Sequence, residues 1–359
     1  MNAIVLGQST KMAEILQSFC DKVYLVIDKS AECARTCKEL EDYSQLDSYT
    51  SMFSAKGILP RAKELVGWIK QYDLTIIFSQ TKYDMVAAKL ASILVRKKVV
   101  LLGTSHNSYA WQNPSSVRKM SWLIKASTDC YIALASFVFN QLRDLGVKEE
   151  KLHLMPNTVE YAKWAIKDNY EYNGAFKLVY VAYVYDGKRQ HVIAEVLNKL
   201  KDKYNIQCDC YGDVDSGEHK VYAEKVQSLI NKYGLEDNMR LCGRVDNELL
   251  RSKLSEYDAY ICPTLMEMSP VNVMEAQAAG LPVIASNVGG MPDLIHDGVD
   301  GLLFECDNID DISDKLVRFI EDKTLREKLG KQGRKQVSEL YNSKIAGERL
   351  YGKIKNLLK

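Results

Sequence analysis

Short apolar runs rich in β-branched residues alternate with longer amphipathic stretches along nearly all of the 359 residues. The runs have the composition of strands, and the stretches between them, such as residues 190–203 and 309–321, have the periodicity of helices. Strands that are separated by helices form parallel sheets with helices on both faces. The sequence therefore predicts an α/β fold built on doubly wound parallel sheets.

The strand-like runs fall into two sets of six, which predicts two domains rather than one large sheet. The first set occupies residues 3–7, 22–28, 74–80, 98–104, 130–135 and 151–156. The second set occupies residues 177–184, 206–212, 239–245, 259–264, 281–286 and 301–304. A polar segment at 158–174 is the predicted hinge. We place the domains at 1–165 and 166–335, followed by a basic helical segment at 336–359.

The segment after the strand-like run at 259–264 predicts a loop and then a helix start. Ser269 is the expected N-cap residue, Pro270 the first helical residue, and Gly280 lies where a helix stop is expected. Backbone N–H groups and the positive end of the helix dipole meet at such a start. The sequence therefore predicts an anion-binding place there.

Two acids flank this helix start, Glu267 on the loop and Glu275 on the second helical turn. Carboxylates beside an anion site would repel the anion unless they bind neutral hydroxyl groups of the same ligand. A sugar nucleotide combines both chemistries. Lys188 and Arg189 follow another predicted strand and would suit its diphosphate, although an exposed helix start with unrelated charges is an equal alternative.

Other polar residues at predicted strand ends carry weaker signals. Gly7 ends the first strand, where a tight turn is the simpler interpretation, and His106 follows the fourth. A lone histidine at such a position is more often structural. Asp213 and Asp215 have the spacing of a metal-binding pair, but they follow a glycine in a polar loop, so we interpret them as a turn. The glycine pattern of a dinucleotide-dependent oxidoreductase is missing from the sequence.

Charge and cysteine usage limit the partners and the compartment. The net charge of +1 favours no nucleic-acid partner, but residues 51–150 hold 14 Lys and Arg against 7 Asp and Glu. That excess, with the cation- and Trp-containing stretch 117–125, could contact an anionic membrane, or it could be an ordinary solvated surface.

Nine cysteines without zinc-site spacing favour a reducing compartment. Neither a signal peptide nor an 18-residue apolar run is evident, so we expect a cytoplasmic protein.

Taken in order, several motifs resemble those of the retaining glycosyltransferases of family 4. The match is strongest over residues 243–301 and includes Gly-Arg-Val at 243–245, the Glu267/Glu275 pair and Gly-Gly-x-Pro at 289–292. The first half matches more loosely, through Thr-Ser-His at 104–106 and Met-Pro-Asn at 155–157. The resemblance implies a GT-B fold, in which two Rossmann-like doubly wound parallel-sheet domains face a central cleft. It also implies that the last helix crosses back to the first domain.

The resemblance also implies a role for each site residue. Those expected to act in catalysis are Glu267, His106 and Lys188, with His106 contacting the transferred sugar and Lys188 the diphosphate. Those expected to bind the donor are Gly7, Arg189, Arg244, Val245, Met268, Ser269, Pro270, Val271 and Glu275. Within this set, Glu275 would hold the ribose hydroxyls and the loop at 244–245 would meet the base. The donor would be a nucleotide diphosphate-sugar, for which we expect UDP, and no metal ion or cofactor is expected.

One departure from the family pattern concerns the diphosphate. The family usually has Gly-Arg where this chain has Ala182-Tyr183, and we expect the neighbouring Arg189 to replace that arginine. The expected reaction is transfer of the sugar, with retention, to a hydroxyl group of a glycan or lipid-linked acceptor. Two alternatives remain at this stage: a sugar-nucleotide epimerase of the same fold, and a non-catalytic subunit that supports an active partner.

Overall fold

The computed structural model describes residues 1–6, 9–26, 48–50, 57–106, 108–215 and 217–359. The chain divides into two compact units. The first contains Met1–Asn157 together with Ser343–Lys359, and the second contains Thr158–Asn342.

These divisions differ from the boundaries that the sequence suggested, after residues 165 and 335. Residues 158–165 are hydrogen-bonded into the second unit, because Val159 N–H donates to the Tyr341 carbonyl at 2.9 Å and Ala165 N–H donates to the Arg251 carbonyl at 3.1 Å. Residue 336 lies inside a helix, and the chain leaves that helix only at Tyr341.

The first unit is built on a seven-stranded parallel sheet in the order β3-β2-β1-β4-β5-β6-β7. Its strands are β1 Asn2–Leu6, β2 Lys22–Val26, β3 Ser48–Thr50, β4 Leu74–Ser79, β5 Val100–Gly103, β6 Cys130–Ala133 and β7 Leu152–Leu154. Its helices are α1 Thr10–Gln17, α2 Ile58–Gln71, α3 Lys82–Val95, α4 Pro114–Ser127 and α5 Ser136–Asp144. Short 3₁₀ helices lie at Ser108–Gln112 and Glu149–Lys151. The sequence predicted six of these strands and missed β3, a three-residue edge strand without an apolar run.

The second unit is built on a six-stranded parallel sheet in the order β10-β9-β8-β11-β12-β13. Its strands are β8 Phe176–Val181, β9 Ile206–Tyr211, β10 Met239–Gly243, β11 Ala259–Cys262, β12 Val283–Ser286 and β13 Leu302–Phe304. Its helices are α6 Gln190–Leu200, α7 Gly217–Tyr233, α8 Asn247–Lys253, α9 Val271–Ala278, α10 Met291–Leu294, α11 Ile309–Glu321 and α12 Lys323–Leu340. Short 3₁₀ helices lie at Tyr161–Lys163, Asp186–Lys188 and Leu254–Glu256. All six predicted strands are present.

The apolar side chains of the strands form the core of each unit. In β11 and β12 every residue is buried, as expected for central strands of a parallel sheet with helices on both faces. Side-chain caps fix several helix starts: Thr81 caps α3, Asp246 caps α8 and Asn308 caps α11. Each cap accepts hydrogen bonds from backbone N–H groups that have no partner within the helix.

The basic tail forms two helices rather than one, because the chain breaks at 341–342 between α12 and α13 Ser343–Leu358. The last helix belongs to the first unit and packs on α1. At this contact a Cβ on Gly347 would lie only 3.1 Å from the Ile15 carbonyl oxygen, so the glycine permits close approach. None of the helices in the described ranges has both the length and the apolar character needed to cross a bilayer.

Candidate functional site

The predicted donor-site residues of the second unit lie at its topological switch point. The strand order reverses between β8 and β11, which are paired neighbours, and ligands of such sheets bind at the carboxyl ends of the strands there. Lys188 follows β8 through the 3₁₀ turn Asp186–Lys188, and Glu267 follows β11. The fold therefore brings together two residues that are 79 positions apart.

Lys188 and Glu267 form an ion pair between Nζ and Oε1. Their side chains are only 13% and 16% exposed, so the pair is largely shielded from water. Burial alone would lower the pKa of Lys188, but the charge and the hydrogen bond of Glu267 outweigh it and the net pKa is raised. Lys188 therefore stays cationic at neutral pH and acts as a fixed positive charge rather than as a proton donor.

Backbone hydrogen bonds hold the two loops together behind this pair. The Gly187 carbonyl accepts from Leu265 N–H at 2.9 Å and from the Thr264 hydroxyl at 3.1 Å. On the other side, Gly290 N–H donates to the Glu267 carbonyl at 2.8 Å. Both charged residues are therefore positioned by the main chain.

The Gly-Gly turn behind Glu267 requires glycine because a side chain would not fit there. Gly289 has a φ of +55°, and a Cβ there would lie 2.1 Å from the Glu267 carbonyl oxygen. Any larger residue would have to displace the loop that carries Glu267. In the sequence, Gly-Gly-x-Pro at 289–292 was only one of the motifs that carry the resemblance; its link to Glu267 appears in the structure.

Helix α9 begins one residue later than the sequence suggested. Val271 is the first helical residue and Pro270 occupies the N-cap position, with no side-chain cap hydrogen bond, so the prediction that Ser269 is the N-cap was wrong. Proline fixes its own φ and supplies a carbonyl at this position, and Met274 N–H donates to that carbonyl. Met268, Ser269 and Pro270 are buried, so they shape the loop in front of the helix.

Glu275 lies on the second turn of α9 and is partly exposed. The negative charges of Glu275 and Glu267 both interact with the hydroxyl group of the buried Tyr260. Burial is the main reason why the pKa of Tyr260 lies far above its usual range. The charges of Cys262, Glu275 and Glu267 raise this pKa further. Glu267 lies on the loop after β11 and Glu275 on the second turn of α9, as the sequence predicted.

The helix stop at Gly280 is confirmed. Gly280 has a φ of +79°, its N–H donates to the Gln277 carbonyl at 2.9 Å, and Leu281 N–H donates to the Ala276 carbonyl at 3.0 Å. This pair of bonds is a Schellman motif. It fixes the length of α9 and hence the position of Glu275 relative to the helix start.

Arg189 lies next to Lys188 but is engaged with carboxylates. It has a left-handed backbone conformation with φ +59°, and its Nε donates to Asp307 Oδ1 at 3.1 Å while Nη2 reaches Oδ2. Its Nη1 lies 3.4 Å from both carboxylate oxygens of Asp186. Asp307 gave no signal in the sequence. Diphosphate binding by Arg189 therefore remains a prediction, and it would require competition with Asp307.

The loop expected to meet the base is organised by a second ion pair. Arg244, half exposed, pairs through Nη2 with the buried Asp213, and Val245 is partly buried beside it. Asp213 Oδ1 also accepts from Asp215 N–H at 3.1 Å, which confirms the turn interpretation of these two acids.

Tyr183, at the position of the family arginine, stacks on His219 with ring centroids 5.6 Å apart.

The two remaining predicted site residues belong to the first unit. His106 follows β5 and its side chain is exposed, and its contact with a sugar stays a prediction. Gly7 lies outside the described residues. Within the ranges described, no group of three or more His, Cys, Asp or Glu side chains is arranged to hold a metal ion.

Comparison with known proteins identifies the family. The family model "Glycosyltransferase Family 4" matches residues 32–163, and "Glycosyl transferases group 1" matches residues 163–336. The UDP-Gal:alpha-D-GlcNAc-diphosphoundecaprenol alpha-1,3-galactosyltransferase of Escherichia coli is 26% identical over 80% of both chains. A sucrose synthase of Melioribacter roseus is 31% identical over 38% of this chain. The matched part covers only 18% of the length of that longer protein.

Among solved structures, Anabaena Alr3699/HepE in complex with UDP and glucose has a TM-score of 0.82 at 16% identity, covering 99% of this chain and 100% of that one. At this identity the likeness shows the fold, which is GT-B with two Rossmann-like domains. With the two family models together spanning residues 32–336, the chain belongs to the group 1 glycosyltransferases of family 4.

Proposed function

We propose that this protein is a retaining glycosyltransferase that moves a sugar from a UDP-sugar to a hydroxyl group of a glycan or lipid-linked acceptor in the synthesis of a cell-surface polysaccharide or glycoconjugate. The observation that carries the proposal is the Lys188–Glu267 ion pair at the switch point of the second unit, in front of the start of α9. This arrangement combines a fixed cation, a helix N-terminus and a carboxylate.

The cation and the helix start suit the leaving group. When the bond from the anomeric carbon to the diphosphate breaks, negative charge develops on the diphosphate oxygens. An ammonium group has three N–H donors, so Lys188 can bind a phosphate oxygen while it remains bonded to Glu267. The N-terminal amides of α9 add a second source of positive potential, and each such preorganised donor is typically worth about 2.7–4 kcal/mol.

The acids suit the hydroxylated parts of the donor. Glu275 would accept hydrogen bonds from the ribose hydroxyls, and Glu267 would position the transferred sugar and stabilise its developing positive charge. The acceptor hydroxyl attacks the anomeric carbon on the face that the diphosphate leaves. Its proton passes to a departing phosphate oxygen, so an α-linked donor gives an α-linked product without a covalent intermediate. No metal ion takes part in this scheme.

The relatives support the donor and the acceptor class. The similar Escherichia coli protein uses, by its name, UDP-Gal and a diphosphoundecaprenol-linked sugar, and the similar Anabaena structure holds UDP and glucose. A UDP-sugar and a lipid-linked acceptor are therefore the first substrates to test.

The first experiment measures transfer by Lys188→Ala and Glu267→Ala. Each variant should lose at least about tenfold in transfer rate, because each removes one electrostatic contact to the reacting groups. Lys199→Ala is a matched control, since this exposed lysine also forms an ion pair, with Asp310. Wild-type kinetics in both site variants would refute the site.

A donor screen by mass spectrometry tests the reaction itself. UDP-, GDP- and ADP-sugars are incubated with and without acceptor, and the anomeric configuration of the product is determined by NMR. A UDP-sugar that is transferred with retention, at the same rate in EDTA, is the expected result. Conversion of the donor to another UDP-sugar without acceptor would identify an epimerase, and no binding of UDP, GDP or ADP would indicate a non-catalytic subunit.

We propose further that the protein acts in the cytoplasm, bound peripherally to the anionic inner face of the cell membrane. An open groove of about 540 Å³ in the first unit supports this location. It is lined by Ile58, Lys82, Tyr83, Val86, Arg118, Lys119, Trp122 and Leu123. Trp122 is 70% exposed and Tyr83 is 54% exposed. Aromatic side chains flanked by cations, with no acid in the lining that the structure describes, match an anionic bilayer surface.

Co-sedimentation with vesicles tests this location. Vesicles containing anionic lipid should sediment the protein at low salt and release it at high salt, whereas neutral vesicles should not. Trp122→Ser and Lys119→Glu should each weaken sedimentation. Val221→Ser is the control, because Val221 is 69% exposed on α7 of the second unit. Failure to sediment at low salt would end the proposal.

A further inference from the structure

The sheet of the second unit has one face that is only partly covered. Alternate residues of a strand point to opposite faces, and in β9 and β10 the two faces differ sharply. Cys208 and Cys210 are buried in the core, whereas Gln207, Arg240 and Cys242 are exposed. Parallel sheets normally have both faces covered. Here the exposed face borders a cavity of about 540 Å³, which Lys253 and Tyr257, at and after the end of α8, also line.

The floor of this cavity is a connected network of hydrogen bonds. Asp209, only 8% exposed, accepts from Arg240 Nε at 2.8 Å and from Arg240 Nη2 at 3.0 Å. The Tyr257 hydroxyl donates to Asp209 at 2.7 Å and lies 3.0 Å from the Tyr211 hydroxyl. The buried carboxylate therefore holds the guanidinium in one orientation.

Arg240 remains available to a ligand. Its bonds to Asp209 use two of the five N–H donors of a guanidinium, and its side chain is 67% exposed. A guanidinium that is already oriented loses little conformational entropy when it binds an anion. Arg240 therefore presents its remaining N–H donors to the cavity in a fixed orientation.

The rest of the lining adds positive charge and groups that bind hydroxyls. Lys177 and Lys253 contribute two further cations, and the lining acid besides Asp209 is Glu256. Because Arg240 already balances Asp209, the cavity has a positive excess. Gln207 and the phenols of Tyr211 and Tyr257 offer neutral donors and acceptors.

From this combination we infer that the cavity binds an anionic sugar, meaning a sugar that carries a phosphate or a carboxylate group, at a site separate from that of Lys188 and Glu267. The anionic group would meet Arg240 and the lysines, and the hydroxyls would meet the amide and phenols. The inference does not depend on the proposed transfer reaction, because it uses none of the residues assigned to it.

Cys242 provides a site-specific readout, since its exposed thiol lines the cavity. Partial burial raises the pKa of the Cys242 thiol to about 11, so alkylation near pH 8 is slow enough to follow by peptide mass spectrometry. The full-length protein is alkylated with and without glucose 6-phosphate, glucuronate, glucose or inorganic phosphate. Cys20, a partly exposed free cysteine of the first unit, is the internal reference.

A sugar phosphate, a sugar carboxylate or both should slow alkylation of Cys242 about tenfold at roughly ten times the dissociation constant, because only the unliganded protein reacts. Protection by glucose 6-phosphate alone would identify a phosphate-bearing sugar, and protection by glucuronate alone a carboxylate-bearing one. Equal protection by glucose, equal protection by inorganic phosphate, or no protection would overturn the inference.

Variants separate binding from folding. Lys253→Gln should weaken the protection of Cys242, whereas Lys232→Gln, on the exposed end of α7, should not. Arg240→Gln should abolish protection, but it also takes the cation from the buried Asp209, so its circular dichroism spectrum is compared with that of the wild type. Wild-type protection in folded Arg240→Gln protein would refute the site.

Discussion

At the scale of single residues, the proposed donor site is built from charges that neutralise one another. Lys188 pairs with Glu267, Arg189 pairs with Asp307 and Arg244 pairs with Asp213. A diphosphate that binds as proposed would share Lys188 and Arg189 with their carboxylates. Binding is then a competition between two anions for the same cation, and the carboxylates set how strongly each cation holds phosphate.

This competition gives a prediction for Arg189. If Arg189 replaces the family arginine, Arg189→Ala should weaken UDP binding about tenfold or more, because a charged hydrogen bond contributes roughly 1.5–3 kcal/mol. Asp307→Asn should strengthen UDP binding, since it releases the guanidinium. Calorimetric titration with UDP measures both effects. Unchanged binding by Arg189→Ala would show that the Arg189–Asp307 pair only supports the loop.

A second residue-scale prediction concerns acid stability. His153 lies on β7, and its Nε2 is buried without a hydrogen-bond partner among the described residues. Burial, aided by repulsion from Lys353 and Arg349 on α13, lowers the pKa of His153 to about 4. An unfolded chain protonates histidine near pH 6.5, so between about pH 6.5 and 4 the unfolded state binds a proton that the folded state does not. Stability is therefore lost as the pH falls through this window.

Replacement of this histidine should remove part of the acid sensitivity. Between pH 7 and pH 5 the free energy of unfolding of His153→Leu should fall by about 2 kcal/mol less than that of the wild type, at roughly 1.4 kcal/mol per pH unit. Urea titrations at the two pH values measure the difference. His219→Gln, in the second unit, is the control, and an equal pH response of His153→Leu and the wild type would contradict the prediction.

At the scale of elements, the sequence predicted what depends on local patterns. The strands of the second unit lie at the short strand-like runs, and each was found within a few residues. β3 was missed because Ser-Tyr-Thr becomes a strand only by pairing with β2. Strand-end positions placed Lys188 and Glu267 at one site without predicting that they form an ion pair. The Arg189–Asp307 contact spans 118 residues and depends on how the strands are ordered in the sheet. No local spacing encodes such a contact.

The loop behind Glu267 gives a prediction with a matched control. Gly289 and Gly298 both have positive φ, but only at Gly289 would a Cβ collide with backbone, since nothing lies within 4 Å of a Cβ at Gly298. Gly298→Ala should cost about 1–2 kcal/mol of stability from the left-handed conformation alone and leave transfer unchanged. Gly289→Ala should cost more and slow transfer at least about tenfold, because Glu267 is displaced.

Thermal unfolding and transfer assays on the two glycine variants distinguish strain from displacement. Equal stability and equal activity in both variants would show that the loop absorbs the extra carbon, and the steric account of the Gly-Gly turn would then be incorrect.

At the scale of the whole molecule, the first unit is assembled from the two ends of the chain. Two glycines on α13 test how tightly the last helix packs. A Cβ on Gly352 would meet nothing within 4 Å, so Gly352→Ala should stabilise the protein by up to about 1 kcal/mol through helix propensity. A Cβ on Gly347 would lie 2.0 Å from Ser18 Oγ, which donates to the Ile15 carbonyl, so Gly347→Ala should destabilise by about 1–3 kcal/mol.

Urea unfolding of these two variants under identical conditions provides the measurement. An equal gain in both would mean that α13 does not pack tightly on α1.

The return of α13 to the first unit also has a consequence for synthesis on the ribosome. Thr158–Asn342 is continuous in sequence and can complete its sheet as soon as it emerges, whereas Met1–Asn157 must wait for Ser343–Lys359. The first unit begins to be translated before the second unit but completes its fold after it. A message cut within the codons for Ser343–Lys359 would yield a protein whose second unit is intact and whose first unit leaves the surface of α1 exposed to chaperones and proteases.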